Sequence, residues 1–222
     1  MKILDLYCGT KSWSKPFEGK ASITSIDINY EFEPTLVRDI LSWDYIKDSK
    51  TGYNDFDVIF ASPPCNLYFS NMKLDKGVLQ FSEEDFNKSV AFVNKTIEII
   101  NYFKPKFWLI ENPRAKMRYI FPYINHIQPI TVDYCMYGVG YKKPTDLWTN
   151  IPIIPKRCNH KTHSVGIHSA NHKTHVTTEN KWAGKYAITI APHLAEEVAE
   201  TVMRQLAAIP PLPKGSGSLA VA

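Results

Sequence analysis

Phe56-Asp57-Val58-Ile59-Phe60-Ala61-Ser62-Pro63-Pro64-Cys65 reads as a buried strand that runs into two prolines and a thiol. Its apolar run contains no turn former, which suits a strand covered on both faces. Proline has no amide hydrogen for the ladder, so the chain must leave the sheet at Pro63 and enter a stiff loop. Cys65 is the first residue beyond that stiff pair. In open α/β sheets the crevice past the carboxyl ends of the strands is where ligands bind. A cysteine held there is placed for chemistry, although free cysteines more often serve packing.

Outward from this strand the pattern repeats. Ile3 to Tyr7 is a short apolar strand that opens into Cys8-Gly9-Thr10-Lys11-Ser12, and a glycine turn at a strand end lets backbone amides approach a ligand. Ile23 to Ile28 forms a second strand, with Asp27 18 residues beyond Gly9. That is close to the ~20-residue spacing of an acid that holds ribose hydroxyls, whereas the plain alternative is a cap at a strand end. Val37-Arg38-Asp39-Ile40 supplies a third acid. Ser82 followed by Glu83-Glu84-Asp85 predicts a helix start, and Phe86, Val90, Val93, Ile97 and Ile100 form its apolar stripe up to Lys104-Pro105. Phe107 to Ile110 is another buried strand, delivering Glu111-Asn112-Pro113 to the same sheet edge as Cys65. Thr131 to Cys135 and Thr145 to Thr149 predict two further strands around a turn at Tyr137-Gly138-Val139-Gly140. Pro192 to Ala207 predicts an amphipathic helix docking through Leu194, Val198, Val202 and Leu206.

The composition bounds the class. A chain of 222 residues with 44% hydrophobic content suits one domain with a real core. A formal charge of +4 is mildly basic, compatible with nucleic acid without being diagnostic. Four scattered cysteines, Cys8, Cys65, Cys135 and Cys158, favour a reducing compartment over a disulfide scaffold. Asp5 interrupts the apolar run that a signal peptide needs, and no run approaches the ~18 residues of a membrane span. The expectation is a soluble, cytoplasmic protein with no membrane contact.

Alternating strands and helices, with acids and a thiol at successive strand ends, point to a nucleotide-type cofactor and covalent chemistry in one crevice. Here the sequence resembles the cytosine carbon-5 DNA methyltransferase family. Asp5-Leu6-Tyr7-Cys8-Gly9 is similar to the family's first cofactor motif, and Asp27-Ile28 and Asp39-Ile40 to its second and third. Ser62-Pro63-Pro64-Cys65 matches the nucleophile motif, and Glu111-Asn112-Pro113 stands where the family has Glu-Asn-Val. Tyr137-Gly138-Val139 and Ile190-Ala191-Pro192-His193-Leu194-Ala195 resemble later motifs, in the same order.

The resemblance implies a Rossmann-like S-adenosylmethionine-dependent methyltransferase fold, α/β, with a mostly parallel central sheet flanked by helices. It implies Cys65 as nucleophile and Glu111 as the group that binds the base. Asp5, Tyr7, Cys8, Gly9, Thr10, Asp27, Ile28, Asp39, Ile40 and Pro63 are then expected around S-adenosylmethionine. Pro64, Asn112, Pro113, Lys142 and Lys143 are expected on the DNA or base side. The chemistry agrees with the residue types. Carbon-5 of cytosine is a poor nucleophile until a thiolate adds to carbon-6, and an acid near N3 neutralises the charge that addition creates. RNA is the alternative substrate, and an idle binding module the alternative from another class; retention of both Cys65 and Glu111 argues against the latter.

This sequence also departs from the family. Its first loop has fewer glycines, and Tyr141-Lys142-Lys143-Pro144 replaces an arginine pair, keeping charge but losing the bidentate fork. Residues 1–150 are read as the core and 151–183 as a small His-rich insert in place of a target-recognition domain. Residues 184–209 complete the core and 210–222 form a flexible tail. A reader so small leaves room for a protein partner that supplies specificity. In the insert, Cys158 with His160, His163, His168, His172 and His175 could bind zinc. The plain alternative is a basic loop facing phosphate, and no particular ligand set follows from the spacing.

Overall fold

The computed structural model describes residues 1–50, 55–65, 74–75, 78–79, 82–139, 143–159 and 189–210. The residues between Asn66 and Gly77 read as a polar connection lie largely outside these, as do Lys142, the insert histidines and the tail beyond Pro210. A seven-stranded sheet runs in the order β3-β2-β1-β4-β7-β9-β8. Its strands are β1 (Lys2–Leu6), β2 (Ser22–Asp27), β3 (Leu36–Val37), β4 (Val58–Ala61), β7 (Phe107–Pro113), β8 (Ile130–Asp133) and β9 (Pro144–Thr149). The first five of these that run outward from β1 pair in parallel, and β9 alone is antiparallel to both its neighbours. A separate antiparallel pair, β5 (Leu74–Asp75) and β6 (Val78–Leu79), was not foreseen.

The strands are apolar on both faces because helices cover both sides. Ile3, Val58, Phe60, Leu109 and Leu147 turn to one core, where α4 (Pro192–Ala207) docks through the fully buried Leu194, Val198 and Val202. Burying three such side chains contributes roughly 1.5–3 kcal/mol each. Leu4, Leu6, Ile59, Ala61, Ile110 and Trp148 turn to the other core, against α2 (Glu83–Phe103). The α2 start is as expected: Ser82 and Asp85 form a reciprocal capping box, and Lys104 closes the helix in the left-handed conformation at φ 48°. Two shorter helices are α1 (Tyr45–Ser49) and α3 (Met117–Ile120).

Two expectations are corrected. The buried face of α2 carries Ser89, Val93, Thr96, Ile99 and Ile100; of the expected stripe, Val93 and Ile100 are buried and Ile97 packs partly buried against the same core, whereas Phe86 and Val90 stay partly exposed. Thr96 is inside because, with the Phe92 carbonyl, it receives the Tyr7 hydroxyl. The strand expected over Thr131 to Cys135 stops at Asp133, and Tyr134–Tyr137 form a 3-10 turn ending at Gly138 with φ 86°. Ile151 is buried, and the Asp133 carboxylate accepts from Arg157 Nε and the Cys158 amide, each at 2.8 Å.

Candidate active site

Strand order reverses between β1 and β4, so the loops after these two strands part and leave a crevice at their carboxyl ends. A cavity of about 390 Å³ lies there, lined by Tyr7, Gly9, Asp27, Phe32, Ser62, Pro63, Pro64, Cys65, Glu111, Pro113, Lys143 and Ile190. The loop after β1 supplies one wall. Tyr7, Gly9 and Lys11 all have positive φ, at 54°, 46° and 57°. Two of these are not glycine, so this loop reaches the family's turn with left-handed side-chain-bearing residues at a cost of about 1–2 kcal/mol each. Partners hold them in place. The Gly9 amide donates to Asp27 Oδ2 at 2.9 Å, and the Asn29 amide donates to Asp27 Oδ1 at 2.9 Å. Each Asp27 oxygen keeps a second lone pair for a ligand hydroxyl.

The opposite wall is the loop after β4. Trp13 Nε1 donates to Ser62 Oγ at 3.2 Å, which ties the first loop to the second. Asn112 Nδ2 donates to the Pro63 carbonyl at 2.9 Å, which ties the second loop to the end of β7. Glu111 is buried beside it and accepts a 3.3 Å hydrogen bond from the Tyr134 hydroxyl. Burial pushes the Cys65 thiol up, the Glu111 carboxylate pushes it further, and the Lys143 ammonium pulls it back. Cys8, by contrast, is pushed up to about 12 by burial and by the charges of Asp5 and Asp27, so it stays a protonated packing thiol.

Other expected residues fall elsewhere. Asp5 is 2% exposed, and its Oδ2 accepts from the Ser14 hydroxyl at 2.6 Å beneath the first loop. Ile40 is a core residue, packed with Trp43 and Tyr45. Ile28 is 68% exposed beyond the rim, and Asp39 accepts from the Leu41 amide at 3.0 Å. Thr10 opens instead into an adjoining cavity of about 400 Å³ with Ser12, Lys15, Thr189 and Ile190. Asn112, expected on the substrate side, is fully buried as a brace for the Pro63 loop, whereas Pro64, Pro113 and Lys143 do line the crevice. Phe32, Ser62 and Ile190 also line the crevice and Tyr134 bonds Glu111, although none of them was among the expected site residues. Ile190, in the last motif-like stretch, arrives from the far end of the chain, its amide donating to Ser12 Oγ at 3.3 Å. Cys158 is described but its histidine companions are not; among the described residues no group of three or more His, Cys, Asp or Glu could hold a metal.

A sheet of this order, with a glycine loop, a ribose-type acid and a proline-proline-cysteine loop at its reversal point, defines a Rossmann-like methyltransferase core. No family model matches the sequence. It is 36% identical over 167 residues to a probable DNA (cytosine-5)-methyltransferase of Frog virus 3 (isolate Goorha), a match covering 71% of this chain and 75% of the viral one. The chain therefore belongs to the DNA (cytosine-5)-methyltransferase family, and it is a methyltransferase. Among solved structures it is similar to the Entamoeba histolytica methyltransferase EhMeth, with a TM-score of 0.50 at 16% identity over 72% of this chain and 55% of that one. A putative DNA modification methyltransferase encoded within an E. coli prophage gives a TM-score of 0.49 at 16% identity, over 72% and 52%. The chain thus spans about half the length of these solved structures. Among the described residues no helix is long and apolar enough to cross a membrane.

Proposed function

We propose that this protein transfers a methyl group from S-adenosylmethionine to carbon-5 of cytosine in DNA, with Cys65 as nucleophile. The observation that carries the reading is one crevice in which Cys65, Glu111 and Lys143 face Gly9, Asp27 and Pro63. The residues fit the cofactor: Asp27 offers two free lone pairs for ribose hydroxyls, Phe32 offers a ring for a base, and the adjoining Thr10–Ser12 cavity shares Ile190 with the first. When bound, S-adenosylmethionine supplies an electrophilic methyl group.

The remaining work belongs to the chain. Cys65 adds as thiolate to carbon-6 of the cytosine ring, which makes carbon-5 nucleophilic; once the methyl group is on carbon-5, the carbon-5 proton leaves to a base and the Cys65 thiolate is expelled from carbon-6. Lys143 favours that thiolate through its charge, against the burial and the Glu111 carboxylate that oppose it. Glu111 gives a proton to N3 or donates a hydrogen bond to it, so that electron density pushed into the ring is neutralised. Tyr134 fixes the Glu111 carboxylate in position. The target base has to leave the duplex to enter the crevice that Cys65 lines.

The test is an oligonucleotide carrying 5-fluorocytosine, offered as single- and double-stranded DNA and as RNA with S-adenosylmethionine. Wild-type protein should form a stable adduct with DNA, because fluorine cannot leave carbon-5 as a proton does, and Cys65→Ala should form none. Glu111→Gln should slow adduct formation by about 10²–10⁴-fold, the usual contribution of a positioned acid or base. An adduct that survives Cys65→Ala would overturn the mechanism, and one formed with RNA alone would move the substrate to RNA.

A further inference from the structure

Behind the nucleophile loop, three strands bring a polar row to one face of the sheet. Asn112 of β7 stands directly across the ladder from Asp146 of β9, and Asp146 stands directly across from Thr131 of β8. All three are buried, Asn112 and Asp146 completely. Asp146 Oδ1 accepts from Thr131 Oγ1 at 2.6 Å and from Arg118 at 3.4 Å. Asp146 Oδ2 and Asn112 Oδ1 are both buried, and among the described residues neither has a hydrogen-bond partner. Side chains directly opposite on an antiparallel pair have Cβ atoms about 4.5–5.5 Å apart, within reach of each other. Two facing acceptors with no donor between them would each cost the desolvation of a polar group.

Rotating the Asn112 amide does not solve the problem, because its nitrogen is needed by the Pro63 carbonyl at 2.9 Å. One proton on Asp146 satisfies both orphaned oxygens at once. We propose that Asp146 is a positioning residue for Cys65: its protonated Oδ2 donates to Asn112 Oδ1, which fixes the amide that holds the Pro63 carbonyl and hence the nucleophile loop.

The surroundings agree. Burial holds the Asp146 carboxyl above the ordinary carboxylate range, against the Thr131 hydrogen bond and the charges of Arg118, Arg114 and Arg157. The Arg118 contact is long and its side chain is partly exposed, so it opposes the proton only weakly. The inference rests on Cys65 as the nucleophile, but its test does not require turnover.

The experiment compares wild type, Asp146→Asn and Asp146→Ala, with folding checked by thermal melts. Cys65 alkylation by iodoacetamide is followed by peptide mass spectrometry, alongside methyl transfer to DNA. The amide of Asp146→Asn supplies a permanent donor to Asn112, so alkylation and transfer should stay within about twofold of wild type. In Asp146→Ala the loop loses its brace; alkylation should quicken and methyl transfer fall, each by about five- to tenfold. A carboxylate that served only to pair with Arg118 would make Asp146→Asn as damaged as Asp146→Ala, and that result overturns the proposal. So does an Asp146→Ala protein whose Cys65 reacts at the wild-type rate. Should Asp146→Ala fail to fold, Asp146→Asn decides alone: wild-type alkylation supports the proposal and faster alkylation refutes it. If wild type alkylates as expected yet methylates no nucleic acid, the proposed function fails while this comparison still stands.

Discussion

Replacing Asp5 by Asn should remove a slope from the stability of this protein against pH. Asp5 is 2% exposed, and burial is the chief reason its carboxyl is raised from 3.8 to about 7, opposed by the Ser14 hydroxyl. Between those two values the folded state keeps a proton that the unfolded chain has released. Stability therefore falls as pH rises through that window and is level above it. At 1.36 kcal/mol for each pH unit, the full window is worth about 4 kcal/mol, of which about 3 kcal/mol falls between pH 5 and pH 8. Against a total of roughly 5–15 kcal/mol this is a large fraction. Asn is isosteric, and its carbonyl can still accept from Ser14, so the variant loses the titration and keeps the packing. Urea unfolding of both proteins at pH 5 and pH 8 isolates the effect, because every other titrating group cancels in the difference. Wild type should lose about 3 kcal/mol more than Asp5→Asn over that interval. Parallel pH profiles for the two proteins would refute a buried, proton-holding Asp5.

Other expectations follow from the same geometry. Asp27→Ala should weaken S-adenosylmethionine binding in calorimetry by about tenfold or more, since it deletes both the ligand's acceptor and the anchor of the Gly9 amide; unchanged affinity would remove Asp27 from the cofactor site. Gly138→Ala should destabilise the fold by about 1–3 kcal/mol in denaturant melts, because a methyl group at φ 86° would lie 2.6 Å from His193 Nδ1. His193 is exposed and can swing aside, so a loss below that range would mean the contact yields and only the backbone conformation counts.

Local spacing was enough for the principal strands and the two long helices. Val58 to Ala61 could be read as a doubly covered strand because it is apolar at every position, and Pro63-Pro64 marks its end chemically. The Ser82–Asp85 capping box and the Pro192 helix start are contacts made within one turn, so three or four residues specify them. Cys65 and Glu111 could be placed at one sheet edge because each follows its strand directly. Tertiary structure decided whatever depends on a partner far along the chain. The buried face of α2 follows Tyr7, 89 residues before Thr96. The Ser12 loop closes on Ile190, 178 residues away. Asp5 and Ile40 turn into the interior, and Asn112 reaches back to the Pro63 carbonyl. A side chain's type and spacing are written in its own stretch of sequence. Which buried polar atom it must satisfy is settled only when the sheet brings distant strands to 5 Å, and there the cost of an unpaired group selects the arrangement.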